Sequence, residues 1–377
     1  MKKTILLTLI LVVLLPYSCI KITEKENYPI IYVDLEEKKP VSLSDLFSHI
    51  KIIPLETNEK SLIKDIIKTQ IYENNIYVFD YRSAEVLWFD TNGNFLNKIS
   101  DRGQGPQEYL NISDFEVDET NKKILLLAPV NNSMYEYDLN GVFIGKYRLP
   151  EIKGAYNSFK SINNDTIAFF TFDYDNRIKF YSKKKNQIIQ ELLPERGNIL
   201  NSCSSIEFPY SNYLHRASSS ILYLIENDCS IRNGYAWDFG MLNNTKRQIK
   251  NIEKLPDSEI QNYFPEIFNS AIINQVIPIH GGNSKYLFCQ VWRNGKRINI
   301  FHEKMDKKNY IFEKTIEDVT FHPLLWHENY VLGYYSEEWG GIDETIPDKL
   351  LDTSDLNIKN NYTDDNNPIL IKYYFNK

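Results

Sequence analysis

The stretch Ile71–Tyr109, IYENNIYVFDYRSAEVLWFDTNGNFLNKISDRGQGPQEY, decides the fold. Ile76-Tyr77-Val78-Phe79 and Val86-Leu87-Trp88-Phe89 are short runs of β-branched and aromatic residues bounded by turn formers, the signature of strands. Asn92-Gly93 predicts a tight hairpin of type I′, in which both central residues take positive φ. Phe95 to Ile99 then returns as a third strand, and the glycine-punctuated loop Asp101 to Pro106 follows it. The reading is a strand meander with its exit loop.

The meander repeats. Leu87 to Ile99 aligns without gaps on Tyr135 to Tyr147, with Asp138 lying 48 residues after Asp90 and Asn, Gly, Phe and Lys coinciding. A four-stranded propeller blade occupies roughly 40–50 residues, so the offset suits one blade. Fainter copies follow at Thr166–Leu193, Ser219–Ile252 and Lys285–Ile316, the last with Asn294-Gly295 as its turn. Tyr330 to Tyr335 and Ile369 to Phe375 supply a sixth. Pro256–Asn269 and Thr345–Asp355 break the β pattern and read as helical or irregular insertions. The expected architecture is an all-β, six-bladed propeller of four-stranded antiparallel blades. Such a ring must close, commonly by an N-terminal strand completing the last blade. Ile50 to Leu55 is the natural partner for Ile369 to Phe375, and Pro54 assigns it to an edge.

Composition agrees. The 377 residues carry a net charge of -7, are 42% hydrophobic and include 26 Tyr and 20 Phe. That apolar content supports a large core and many short strands. A mildly acidic chain without a basic cluster excludes nucleic acid as the expected partner.

The N-terminus reads as a targeting segment outside the fold. Lys2 and Lys3 precede an apolar run, Ile5 to Leu15, too short to span about 30 Å of hydrocarbon. It ends in Pro16-Tyr17-Ser18-Cys19, which resembles a bacterial lipobox with Cys19 as the acylated residue, although Pro16 and Tyr17 depart from its usual pattern. The expected division is a lipoprotein signal peptide over 1–18, a lipid-anchored tether over 19–48 and the propeller over 49–377. Ser42 to Phe47 within the tether reads as a short helix capped by Ser42 or Ser44. Cys203, Cys229 and Cys289 remain, an odd number that implies no disulfide framework; they read as small buried hydrophobes, and spacing gives no support to a Cys203–Cys229 bridge.

Three landmarks resemble one family: Ile53-Pro54-Leu55-Glu56-Thr57 with Ser61-Leu62-Ile63, then Ile99 to Tyr109, then Asp365-Asn366-Asn367-Pro368-Ile369-Leu370-Ile371. They are similar to segments of NHL-like six-bladed propeller lipoproteins from glycan-degrading, gut-type Gram-negative bacteria. Gln107 stands where that family has glycine, and Leu200 to Val319 carries no landmark. The resemblance implies an envelope location, with the outer membrane as the expected site. It implies a binding or interaction module whose partner is a glycan, peptide or envelope protein. The rival it implies is a metal-dependent propeller enzyme of lyase or lactone hydrolase type.

Candidate chemistry is sparse. Arg102-Gly103-Gln104-Gly105-Pro106 lacks the Lys-Ser/Thr of a P-loop, so its glycines are expected to allow positive φ in an inter-blade crossover. There Arg102 and Glu108 would pair or line one face of the ring. No His-Glu-x-x-His, Cys-x-x-Cys or Gly-x-Ser-x-Gly pattern occurs, and neither metal nor cofactor is expected. His322 and His327 could share a metal only on an irregular loop. Asp173 to Asn176 reads as a solvated hairpin turn rather than a calcium loop. Trp326 and Trp339 flank an aromatic segment that either stacks on a ligand or wedges between blades. The candidate ligand-binding set is Arg102, Glu108, Trp326 and Trp339, with no catalytic residue assigned.

Overall fold

The structure, a computed structural model, describes residues 28–37, 39–173, 176–192, 203–208, 211–216, 220–243, 274–335, 341–363 and 365–377, with backbone alone for 203–208, 211, 216 and 274–279. Before the first blade come β1 (Ile30–Tyr32), helix α1 (Leu43–Leu46) and β2 (Phe47–Pro54). Blade one is β3 (Ile66–Tyr72), β4 (Asn75–Asp80), β5 (Glu85–Asp90) and β6 (Phe95–Ile99). Blade two is β7 (Asp114–Asp118), β8 (Lys123–Ala128), β9 (Ser133–Asp138) and β10 (Phe143–Arg148). Blade three is β11 (Tyr156–Ser161), β12 (Thr166–Thr171), β13 (Ile178–Ser182) and β14 (Gln187–Leu192). Blade four is β15 (Cys203–Phe208), β16 (Ser211–Arg216), β17 (Ile221–Ile225) and β18 (Ile231–Asp238). Blade five is β19 (Asn274–Gly282), β20 (Tyr286–Arg293), β21 (Lys296–Glu303) and β22 (Lys308–Phe312). Blade six combines β23 (Pro323–Trp326), β24 (Tyr330–Tyr335) and β25 (Ile369–Phe375) with β2.

The first strands, β3, β7, β11, β15, β19 and β23, neighbour one another in that order and return to β3, so they form the innermost ring. Middle strands such as β12 (TIAFFT) and β13 (IKFYS) are buried at every position because adjacent blades cover both faces. The outermost β10 and β14 alternate exposed with half-buried residues. Closure follows the expected pairing: β2 runs antiparallel to β25, from Ile50 opposite Tyr373 to Pro54 opposite Ile369. Pro54 ends the outer strand, where its missing N–H leaves no ladder gap. The insertion between β24 and β25 is helical, ending in α2 (Thr353–Asn360).

Three expectations change. Much of the expected tether is part of the propeller. Ile31, Val33 and Leu35 are at most 4% exposed, and β1 adds to β18 in parallel as a fifth strand of blade four. The period-2 pattern of IIYVDL outweighs the charges around it. Ser42 caps α1 in a capping box with Asp45, and Leu43 and Leu46 are buried.

The Asn92-Gly93 turn is not type I′. Only Gly93 has positive φ, 89°, and Gly93 N–H bonds Asp90 C=O at 3.0 Å. The result is a three-residue loop of type I closed by a left-handed glycine, and Asp138 to Val142 repeats it with Gly141 at 82°. Asn294-Gly295, joining directly paired Arg293 and Lys296, does take positive φ at both residues, 53° and 72°.

Blade four takes β15 and β16 rather than Arg247 to Ile252; that run and Pro256–Asn269 lie outside the described residues. Cys229 is a free, buried thiol, as is Cys289, so the Cys203–Cys229 bridge does not form.

Candidate functional site

Three polar side chains of the inner ring, Gln70, Asp114 and Glu116, hold blades together. Asp114 on β7 accepts from Lys68 Nζ at 2.9 Å through Oδ1 and from Phe159 N–H of β11 at 2.9 Å through Oδ2. Two residues on, Glu116 accepts from Ser161 N–H at 2.8 Å and pairs with Lys160 at 2.8 Å. Gln70 on β3 accepts from Val117 N–H at 2.6 Å. Each hook satisfies an edge N–H of the next blade's inner strand, a donor that burial would otherwise orphan. These carboxylates are thereby committed to the scaffold.

The histidines gather into a pair. His215 and His280 lie with ring centroids 4.5 Å apart and planes tilted by 35°, and burial together with His215 pushes His280 well below its ordinary range. His327 instead stacks on Tyr330, while His322 faces Arg297, and burial with that cation lowers it to about 4. Among the described residues no three His, Cys, Asp or Glu side chains are placed to hold a metal. Asp173 is buried against Lys179 at 2.8 Å, so it is a structural ion pair rather than a solvated turn residue.

The candidate ligand residues do not converge. Glu108 does not pair with Arg102; its carboxylate folds back to accept Gly105 N–H at 2.7 Å, and Arg102 Nε donates to Leu110 C=O at 3.2 Å. Gly103 and Gly105 are not in the left-handed region. They are glycines because a Cβ at Gly103 would sit 2.0 Å from the Glu108 carboxylate. Tyr109 OH to Ala84 C=O and Tyr135 OH to Glu108 C=O, 2.9 and 2.7 Å, then fasten the loop between blades one and two. Trp326 is 5% exposed, laid on Gly281 and packed at 5.3 Å from Phe288 and 5.7 Å from Phe375. Its ring wedges between blades five and six. Trp339 and Cys19 lie outside the described residues.

A different place collects unused polar groups. A cleft of about 510 Å³ opens on the closure seam, walled by Pro54–Thr57 after β2, the Asn92–Asn94 turn, the end of α2 with Asn361 and Tyr362, and Asn366-Asn367. Asn367, 3% exposed, is the pin beneath it. Its backbone N–H donates to Thr57 Oγ1, its Nδ2 to the Glu56 and Ser61 carbonyls, all at 2.7 Å, and its Oδ1 accepts Ile63 N–H at 2.9 Å. Glu56 ties in the hairpin, accepting Phe95 N–H at 2.8 Å while its own N–H bonds Gly93 C=O at 2.8 Å. The first and third sequence landmarks therefore meet at one clasp. The asparagine density of Asn357 to Asn367 was the available signal, but an insertion between strands gives no hint of where it folds back.

The model for a domain of unknown function, DUF4934, matches residues 25–374. The chain belongs to this family. Among solved structures, a Bacteroides fragilis protein described as exported overlays this DUF4934 chain with TM-score 0.73 at 17% identity, covering 92% of this chain and 100% of its own. A DUF4221 member from Bacteroides vulgatus gives 0.51 at 11% identity, over 87% and 98%. At these identities the likeness is one of fold. An inactive virginiamycin B lyase from Staphylococcus aureus reaches only 0.42 at 10% identity, over 70% and 74%. A search of curated protein sequences found no match.

Proposed function

We propose that this DUF4934 propeller is a ligand-binding module held at the cell envelope by a lipid on Cys19. One observation carries the binding reading: the inner-strand side chains Gln70, Asp114 and Glu116 are engaged in joining blades, whereas the seam cleft is a concavity lined by exposed asparagine amides. Asn92 is exposed and its side-chain amide has no partner. Asn357 and Asn361 are exposed beside it, bonded only to each other and to backbone. Concave sites of about 300–1,000 Å³ with a few convergent polar groups are the usual form of small-ligand sites. The location rests on Lys2-Lys3, the apolar run to Leu15 and Ser18-Cys19, with further support from the exported relative in Bacteroides fragilis. A glycan, peptide or envelope protein is the ligand in this reading, and the resemblance to lipoproteins of glycan users favours the first.

Nothing among the described residues favours the metal-dependent enzyme, since that chemistry needs carboxylates and imidazoles converging at the axis. The deciding experiment is calorimetry of the mature protein against oligosaccharide and peptide panels, with mass spectrometry of the recovered ligand and metal analysis of the protein. Saturable binding with the ligand returned intact supports the module. Turnover, or a stoichiometric divalent metal required for binding, overturns it.

A further inference from the structure

We infer that the seam cleft is a saccharide subsite, taking a neutral, polyhydroxylated chain, and that its occupant staples the ring shut. The inference rests on the binding-module reading and narrows it to one site and one chemistry.

The lining selects by elimination. Among the described residues no lysine or arginine lines the cleft, so an anionic ligand finds no counter-charge there. Glu56 is the one charged residue among its described lining, and both carboxylate oxygens already accept, from Phe95 N–H and from Asn58 Nδ2, each at 2.8 Å. A cationic ligand therefore meets a carboxylate already engaged. Peptide addition to the outer edge of β2 is blocked, because α2 packs against that strand. A wholly apolar ligand would strand the amides.

What remains suits hydroxyl groups. A side-chain amide offers two donors and an acceptor on one rigid plane, matching adjacent hydroxyls that each donate and accept. Asn92 presents its whole amide. Asn361 gives its Nδ2 to the Asn357 carbonyl at 2.7 Å and to Asn357 Oδ1 at 3.1 Å, which leaves its own Oδ1 and the Asn357 NH₂ outward. Asn366 Oδ1 is taken by Thr363, leaving its NH₂ as a donor. Tyr362, held edge-on to Tyr335 at 5.6 Å, adds an aromatic surface for the C–H face of a sugar ring.

The stapling follows from where the walls come from. The Asn92 turn belongs to blade one, and Asn361 belongs to the insertion of blade six. A ligand touching both spans the seam where the first and last strands meet. Binding to the closed ring alone stabilises it in proportion to ln(1 + [L]/Kd).

The test uses the full mature chain with maltohexaose, cellohexaose and mannohexaose, read by calorimetry and thermal unfolding. Asn92→Ala combined with Asn361→Ala alters only exposed side chains and removes only the solvent-exposed Asn361–Asn357 bonds, so without ligand the variant should melt within a few degrees of wild type. The expected result is saturable binding of at least one oligosaccharide, a ligand-dependent rise in Tm, and a loss of at least tenfold in affinity in the double variant. If an oligosaccharide binds equally well to the double variant, the site lies elsewhere; that overturns the inference and leaves the module standing. If none of the three binds while a peptide does, the saccharide assignment falls and the module again survives. If the sugar is hydrolysed or eliminated, both readings fall together.

Discussion

Asn367 does more for the ring than its size suggests. Removing its carboxamide orphans Ile63 N–H and two carbonyls at a site almost closed to water. Unmade bonds of this kind cost about 1–3 kcal/mol each, and the neighbouring cleft admits water to part of the gap. Asn367→Ala should therefore lower stability by roughly 2–4 kcal/mol in urea unfolding, whereas Asn366→Ala, one residue away and exposed, should change it little. Glu317 is the second residue with a measurable signature. It receives Ser42 Oγ and Leu43 N–H at the start of α1 and pairs with Lys349 on the insertion. Burial alone would raise its carboxyl, but Lys349, Ser42 and Leu43 outweigh that and bring it from 4.5 down to about 2. A depressed carboxyl contributes stability that is complete above pH 4.5 and is lost as pH falls toward 2. The side chain is 8% exposed, so the contribution is on the order of 2–3 kcal/mol. Glu317→Gln should remove that part of the acid slope. Parallel denaturant curves at pH 6 and pH 3 check it: an unchanged pH 6 to pH 3 difference would refute the assignment.

Strands carry unequal signals, and the difference is physical. The middle strands of blades one, two, three and five stood out because both faces pack against apolar neighbours, as in Asn75–Asp80 and Thr166–Thr171. The inner strands did not. Asp114–Asp118 (DFEVD) and Tyr156–Ser161 (YNSFKS) look like loops because the carboxylates of the first reach sideways to the backbone N–H groups of the second, a use that no one-strand pattern reveals. The candidate site was hidden for a related reason: it joins residues near 55, 93 and 361, and nothing local links them. The closing strand, by contrast, was legible from Pro54 and the apolar C-terminus. Two truncations separate these roles. Deleting the last eight residues removes most of β25, the strand between β24 and β2, and should abolish cooperative folding rather than fray one end. Deleting through Tyr32 strips only the added outer strand and bares the edge of Trp237 on β18, so it should lower Tm by a few degrees with the ring intact. Circular dichroism melts of both truncated chains decide this, and a C-terminal truncation that melts like the full chain would sink the closure argument.

At the scale of the molecule, closure changes how blades share stability. In an open array each repeat leans on its neighbours only, and the ends fray first. Here β23 meets β3 and β2 completes blade six, so no blade is terminal, and unfolding any one exposes two interfaces. Inner-ring hooks from Gln70 to Val117, Asp114 to Phe159 and Glu116 to Ser161 make that coupling directional across the first three blades, blade one satisfying blade two's backbone and blade two that of blade three. The ring should therefore unfold as one unit. Trp88 in blade one, Trp237 in blade four and Trp326 in blade six give three buried reporters spread around it. Variants retaining one of these tryptophans, with the others replaced by phenylalanine, should share a single urea midpoint with the far-ultraviolet signal once each is referenced to its own stability. Adding Asn367→Ala tests the cause. If the clasp enforces the coupling, weakening it lets the Trp88 and Trp326 transitions precede that of Trp237, because the seam lies between blades six and one. Coincident midpoints in both backgrounds would mean that the blade interfaces alone hold the ring together; separated midpoints in the intact chain would mean that closure contributes little.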